Sequence, residues 1–88
     1  MTLARRQILG GRYNVASAIV HALPDHRGNV RNQLAALPGV EIHAETLDGR
    51  FIVSVEDTGM ATAGDTLIAL HRLEGVVAAT LVSHYETE

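Results

Sequence analysis

Two four-residue segments constrain this chain more than anything else in it. Leu37-Pro38-Gly39-Val40 and Leu73-Glu74-Gly75-Val76 begin 36 positions apart and repeat one pattern. In each, a leucine closes a run with helical spacing, a glycine supplies the cap that ends it, and a valine opens a run of strand character. Pro38 adds a second stop, because the residue before a proline is pushed out of helical geometry. Between the two copies, Asp48-Gly49 joins two alternating runs, the strongest short-range signal for a hairpin. A helix-to-strand junction that occurs twice around one hairpin predicts a split, doubled βαβ arrangement.

The flanking residues fill in the elements. Asn14 to Ala22 is a strand-length segment of small and β-branched residues, closed by Pro24 and Asp25. Val30, Leu34 and Leu37 recur at helical spacing between His26 and Leu37, with Asn29, Arg31, Asn32 and Gln33 on the other side. Val40, Ile42 and Ala44 alternate with Glu41, His43 and Glu45, the period-two mark of a strand with one wet face, and Phe51 to Glu56 follows the hairpin. A second helix is expected at about Ala61 to Arg72, capped by Asp57 or Thr58, with Met60, Leu67, Leu70 and Leu73 on one side. Val76 to Tyr85 is the last strand. The order βαββαβ predicts an α+β, ferredoxin-like domain, an antiparallel four-stranded sheet with two helices on one face. At 88 residues there is room for one core. That domain takes residues 13–88. Residues 1–12, which hold Arg5, Arg6, Arg12 and a Gly10-Gly11 pair without any period, are read as a flexible N-terminal tail.

With both helices on one face, the other face of the sheet stays open, and that is where function is sought. Strict alternation sends Ala16, Ala18, Val20 and Ala22 to the helix side and Ser17, Ile19 and His21 to the open side. It also puts Glu41, His43 and Glu45, then Ile52, Ser54 and Glu56, then Ala78, Thr80, Val82 and His84 on the open side. The expected face is an apolar strip among carboxylates and imidazoles, with no lysine and no arginine.

Several chemistries fit poorly. A net charge of −3 argues against a phosphate-backbone partner, and no aromatic residue falls on the inner strands of the open face where RNA-recognition domains stack bases. Without cysteine there is no disulfide, thiolate metal site or cysteine nucleophile, which also excludes the metal-carrying domains of this topology. His21, His43 and His84 with Glu41 and Glu45 are ligand types for zinc or copper, but they share no local ligand motif and read as surface side chains. No catalytic triad, nucleophile elbow, P-loop or dinucleotide fingerprint occurs, and Leu23-Pro24-Asp25-His26 is not the phosphate loop of an acylphosphatase. No enzyme activity, cofactor or metal is expected. A small-ligand regulatory domain of the ACT type remains the alternative. No apolar run approaches the roughly 20 residues that cross a bilayer, so the chain is expected to be soluble.

The segments Leu37-Pro38-Gly39-Val40-Glu41, Asp48-Gly49-Arg50-Phe51-Ile52-Val53 and Leu73-Glu74-Gly75-Val76-Val77-Ala78, followed by Leu81-Val82-Ser83-His84, resemble the NapD proteins in order and spacing from about Asn14 to Glu86. The resemblance implies a cytoplasmic chaperone. It would bind the twin-arginine signal peptide of the periplasmic nitrate reductase catalytic subunit and hold back export until maturation is complete. With that partner placed on the open face inferred above, the expected binding residues are Ser17, Ile19, His21, Glu41, His43, Glu45, Ile52, Ser54, Glu56, Thr80, Val82 and His84. Ser83 departs from the bulkier aromatic that relatives often carry before the histidine.

Arg5-Arg6-Gln7-Ile8-Leu9 is itself similar to a twin-arginine export motif, and apolar Val15 to Leu23 follows it. The apolar stretch is read as a central strand instead, because cleavage near Ala22 would remove it and leave a remainder that cannot fold.

Overall fold

A computed structural model describes residues 13–87 of the chain, so the expected tail, residues 1–12, lies outside the described residues. Strand β1 (Tyr13–Ala22) leads through a single 3-10 turn (Pro24–His26) into helix α1 (Arg27–Ala36). Strands β2 (Val40–Glu45) and β3 (Arg50–Glu56), helix α2 (Ala63–Leu70) and strand β4 (Val76–Thr87) follow. The four strands form one antiparallel sheet in the order β2-β3-β1-β4. The fold is the expected α+β, ferredoxin-like one, and β1 is a central strand.

Alternation explains how the core fills. Ala18, Val20 and Ala22 of β1 and Phe51, Val53 and Val55 of β3 meet Val30 and Leu34 of α1 and Ala63 and Leu70 of α2, each at 0 or 1% exposure. Three alanines on β1 keep that strand thin, which lets both helices come down onto the middle of the sheet. The bulk is supplied by Phe51, Leu34 and Leu70, the three largest fully buried side chains among the described residues.

Both repeated junctions do what their sequence dictates. Leu37 leaves α1 in an extended conformation, and Gly39 takes φ 80°, open to glycine at little cost. A Cβ at Gly39 would also strike the carbonyl oxygen of Glu56. The close approach has a use, since the Gly39 carbonyl accepts the Glu56 N–H at 2.9 Å, and at the matching place the Gly75 carbonyl accepts the Leu23 N–H at 2.8 Å. Each junction is thereby tied to the end of an inner strand. Gln33 of α1 secures the second one, donating to the Glu74 carbonyl at 2.9 Å and accepting the Glu74 N–H at 3.3 Å.

Helix α2 departs from expectation at its start. It begins at Ala63, and its cap is Thr62, whose hydroxyl accepts the Asp65 N–H at 3.1 Å. Thr58 folds the preceding chain into a turn by accepting the N–H groups of Met60 and Ala61, both at 3.0 Å, which leaves Met60 84% exposed instead of packed. Asp57 is buried, and its carboxylate accepts the Asn14 N–H at 2.6 Å, the Asn14 side-chain amide at 2.9 Å and the Ala63 N–H at 2.6 Å. One side chain therefore joins the start of β1, the end of β3 and the first turn of α2.

Candidate functional site

Cross-strand partners in a sheet share a face, so the register lays out the open side row by row. Near the start of β1, one row pairs Glu56 with Val15. The next runs Glu41, Ser54, Ser17, Ser83 from edge to edge. A third runs Ala44, Ile52, Ile19, Thr80, and the fourth pairs Arg50 with His21 and His21 with Ala78. Successive rows lie about 6.6 Å apart, two strand residues of rise. The surface thus carries one row of carboxylate and hydroxyl groups, one mainly apolar row, and a basic end.

The register also corrects the placement of some expected residues. In β2 the pairing passes from Ile42 opposite Val53 to Ala44 opposite Ile52, so His43 is an extra residue in a β-bulge. A bulge consumes one residue without advancing the partner, and every side chain beyond it changes face. His43 stays on the open side, where its Nε2 is 2.8 Å from the Ser54 hydroxyl, and Ala44 joins it. Glu45 is carried to the helix side, opposite Phe51, and was wrongly assigned to the open face.

There Glu45 meets α1. Its carboxylate accepts Arg31 Nε and Nη2, both at 2.8 Å, and Arg27 Nε at 3.1 Å. Hydrogen bonds from Arg31, joined by those from Arg27 and the charge of both, outweigh desolvation and lower the Glu45 pKa to about 2. A carboxyl depressed in the folded state contributes stability that is complete above its unfolded pKa of about 4.3 and is lost as pH falls toward 2. Glu45→Gln should therefore lower the urea midpoint at pH 6, and the gap from the parent should narrow progressively between pH 5 and pH 2.5. A gap that stays constant across that range would show that the ion pairs contribute nothing to folding.

Strand β4 contains a second irregularity of the same kind. Its pairing steps from Ser17 opposite Ser83 to Ala18 opposite Leu81, which leaves Val82, 59% exposed, at the bulge with no partner residue in β1. Beyond it His84 falls opposite Ala16, on the helix side, with its Nε2 3.0 Å from Asn14 Oδ1. The expected open-face position of His84 is thus also corrected, and His84 stands over the Asn14–Asp57 contact instead. Its charge is one of the influences on the Asp57 carboxyl. Burial opposes ionisation there, but the hydrogen bonds from Ala63 and Asn14 prevail and hold the pKa below the ordinary value.

A third correction concerns charge. Arg50, opposite His21, brings an arginine to the face that was expected to have none, and its guanidinium lies 3.2 Å from the Asp48 carboxylate. The Thr46 hydroxyl, with help from Arg50 and His21, keeps Asp48 below its ordinary pKa. Ser17, Ile19, His21, Glu41, His43, Ile52, Ser54, Glu56 and Thr80 are brought together on the open face; Glu45 and His84 are not. The three histidines occupy separate places, and among the described residues no group of three His, Cys, Asp or Glu side chains could hold a metal ion. No helix among the described residues is long and apolar enough to cross a membrane.

Comparison with known proteins agrees with this architecture. The family model described as NapD protein matches residues 13–88. The Chaperone NapD of Escherichia coli (strain K12) is 32% identical over 77 residues, which cover 86% of this chain and 88% of that protein. The Chaperone NapD of Paracoccus pantotrophus is 30% identical over 91 residues, 91% of this chain and 80% of its own. Among solved structures, the solution structure of the E. coli Tat proofreading chaperone protein NapD superposes with a TM-score of 0.72 at 32% identity, covering 83% of this chain and 78% of that one.

Proposed function

The chain belongs to the NapD family of chaperones, and from that premise we propose that its open sheet face binds the twin-arginine signal peptide of the periplasmic nitrate reductase catalytic subunit, assisting maturation and restraining export from the cytoplasm, without catalysis. The observation that carries this reading is the order of the rows. Glu56 and Glu41 mark the end of the face nearest the start of β1, and the row of Ala44, Ile52, Ile19 and Thr80 lies directly beyond. A signal of this class presents two arginines followed by an apolar stretch. Its guanidinium groups meet Glu41 and Glu56 with the hydroxyls of Ser17 and Ser54 beside them, and its apolar residues meet Ile19 and Ile52. A peptide laid in the opposite sense would carry its arginines away from Glu41 and Glu56, which favours one direction. The name of the solved relative, a Tat proofreading chaperone, supports the same class of partner.

Isothermal titration of the folded protein with a synthetic twin-arginine signal peptide should give micromolar or tighter binding. Glu41→Gln combined with Glu56→Gln should weaken it about tenfold and flatten its dependence on salt, since charge-assisted contacts to arginine are then gone. No heat beyond dilution with a folded protein would refute the proposal, and heat with free amino acids instead of the peptide would move the assignment to the small-ligand alternative.

A further inference from the structure

The inner strands β1 and β3 keep one register from Val15 to His21, whereas both edge strands are irregular, and β4 is irregular twice. Its pairing steps from Ala22 opposite Val76 to His21 opposite Ala78, and from Ala18 opposite Leu81 to Ser17 opposite Ser83, so Val77 and Val82 are each an extra residue. Val76 and Leu81 lie opposite the buried Ala22 and Ala18 on the helix side, and alternation turns the residue after each toward the open side. Ala78 and Ser83 are open as well, since they pair with His21 and Ser17. From Val76 to Ser83, β4 therefore shows Val77, Ala78, Thr80, Val82 and Ser83 on the open face, five side chains where the facing stretch of β1 shows three. Both extra valines are more than half exposed.

On an edge strand a bulge either blunts the edge against another strand or re-aims a side chain. Blunting is best served by charge, and β4 carries none from Val76 to Ser83. Re-aiming fits the positions. Val82 stands at the Ser17 row and Val77 at the His21 row, so the two valines flank the row of Ile19 and Thr80, about 6.6 Å to either side of it. The apolar strip of Ile52 and Ile19 thereby opens, at β4, into a patch about 13 Å long in the strand direction. Glu41 lies in the Ser17 row at the opposite edge, three strand spacings or about 14 Å away. The open face is thus acidic at its β2 edge and uncharged and aliphatic at its β4 edge.

We infer that Val77 and Val82 are specificity-determining contacts for the apolar stretch of the signal peptide, which crosses Ile52 and Ile19 and comes to rest on β4. This inference rests on the function proposed above and deepens it. An apolar stretch of about 7–15 residues spans roughly 10–22 Å even when helical, enough to cover Ile19 and both valines. A charged residue within that stretch would be pressed against two valines with no partner for its charge, so the patch selects against peptides whose apolar stretch is interrupted.

The test compares the full chain with its Val77→Thr/Val82→Thr variant, which keeps the β-branched shape and replaces one methyl of each valine by a hydroxyl. A synthetic twin-arginine signal peptide should bind the variant about five- to thirtyfold more weakly than the parent, because two hydroxyls lose their water in the complex. Leu81→Thr, on the helix side of the same strand and similarly exposed, should bind within about twofold of the parent. In the unsubstituted protein, the methyl resonances of Val77 and Val82 should move when peptide is added, and those of Leu81 and Val30 should not. The methyl shifts need no substitution, so they decide the matter even if the double variant fails to fold. Three results overturn the inference while leaving the proposed function standing: equal affinities for parent and double variant, valine methyls that do not move, or a Leu81→Thr loss as large as that of the double variant. The bulges then serve only to blunt the edge. A peptide that does not bind the parent refutes the proposed function and this inference with it.

Discussion

Asp57→Asn should destabilise the domain by about 3 kcal/mol and lower its melting temperature by roughly 12–24 °C, the largest loss expected from a substitution that changes almost no volume. One carboxylate oxygen takes both donors of Asn14 and the other takes the Ala63 N–H. An amide must turn its NH2 toward one of these groups of donors, so at least one buried N–H loses its acceptor and faces a donor instead. Hydrogen bonds to a charged group contribute about 1.5–3 kcal/mol each, and leaving a buried donor unsatisfied adds a further cost. Because the Asp57 pKa is depressed in the folded state, its contribution is complete above about pH 4 and is lost as pH falls. Thermal melts at pH 7 and pH 3 should therefore show a larger gap between parent and variant at the higher pH. A loss under 1 kcal/mol at pH 7 would mean that water replaces the carboxylate. Asp48→Asn is the control, since its ion pair is exposed and should change little.

Ile52→Lys should weaken signal-peptide binding about 30- to 150-fold while leaving the fold intact. Ile52 lies opposite Ile19 on one side and Ala44 on the other, at the centre of the apolar row, and is 43% exposed, so the free protein has little packing to lose. In the complex the substitution removes an aliphatic contact and puts a cation against a partner whose own charge is positive. Together these cost about 2–3 kcal/mol of binding. Titration with the peptide reads the effect, and a melting temperature within a few degrees of the parent shows that the fold is unharmed. Unchanged affinity would remove the apolar row from the binding site.

The element order and the core were legible because each rests on a local signal. Pro38 and Gly39 stop a helix whatever surrounds them, and Gly49, at φ 94°, turns the hairpin as its Asp-Gly pair predicts. The two faces were legible only up to the bulges. Period-two alternation is a property of one strand, whereas a bulge is a property of a pair, and nothing in Glu41-Ile42-His43-Ala44-Glu45 alone announces that His43 will be the extra residue. One sign was available: Arg27 and Arg31, four apart on α1, form a basic pair that needs a carboxylate on the helix side, and Glu45 is near in sequence. Arg50 comes onto the open face because β3 begins one residue before Phe51, directly after the hairpin glycine. The start of α2 was misplaced because Asp57, Thr58 and Thr62 are all good caps, and only the burial of Asp57 beside Asn14 decides among them.

The central place of β1 has a consequence in time as well as in space. Its neighbours are β3 and β4, the third and last strands to be made, so the first strand synthesised waits longest for company. At 5–20 residues per second, the 34 positions from Ala22 to Glu56 take the ribosome about 2–7 s, and the second neighbour arrives only with the final dozen residues of the fold. Pairing with β3 covers one edge of β1, so the rate at which the hairpin docks against β1 sets how long that apolar strand stays without a neighbour.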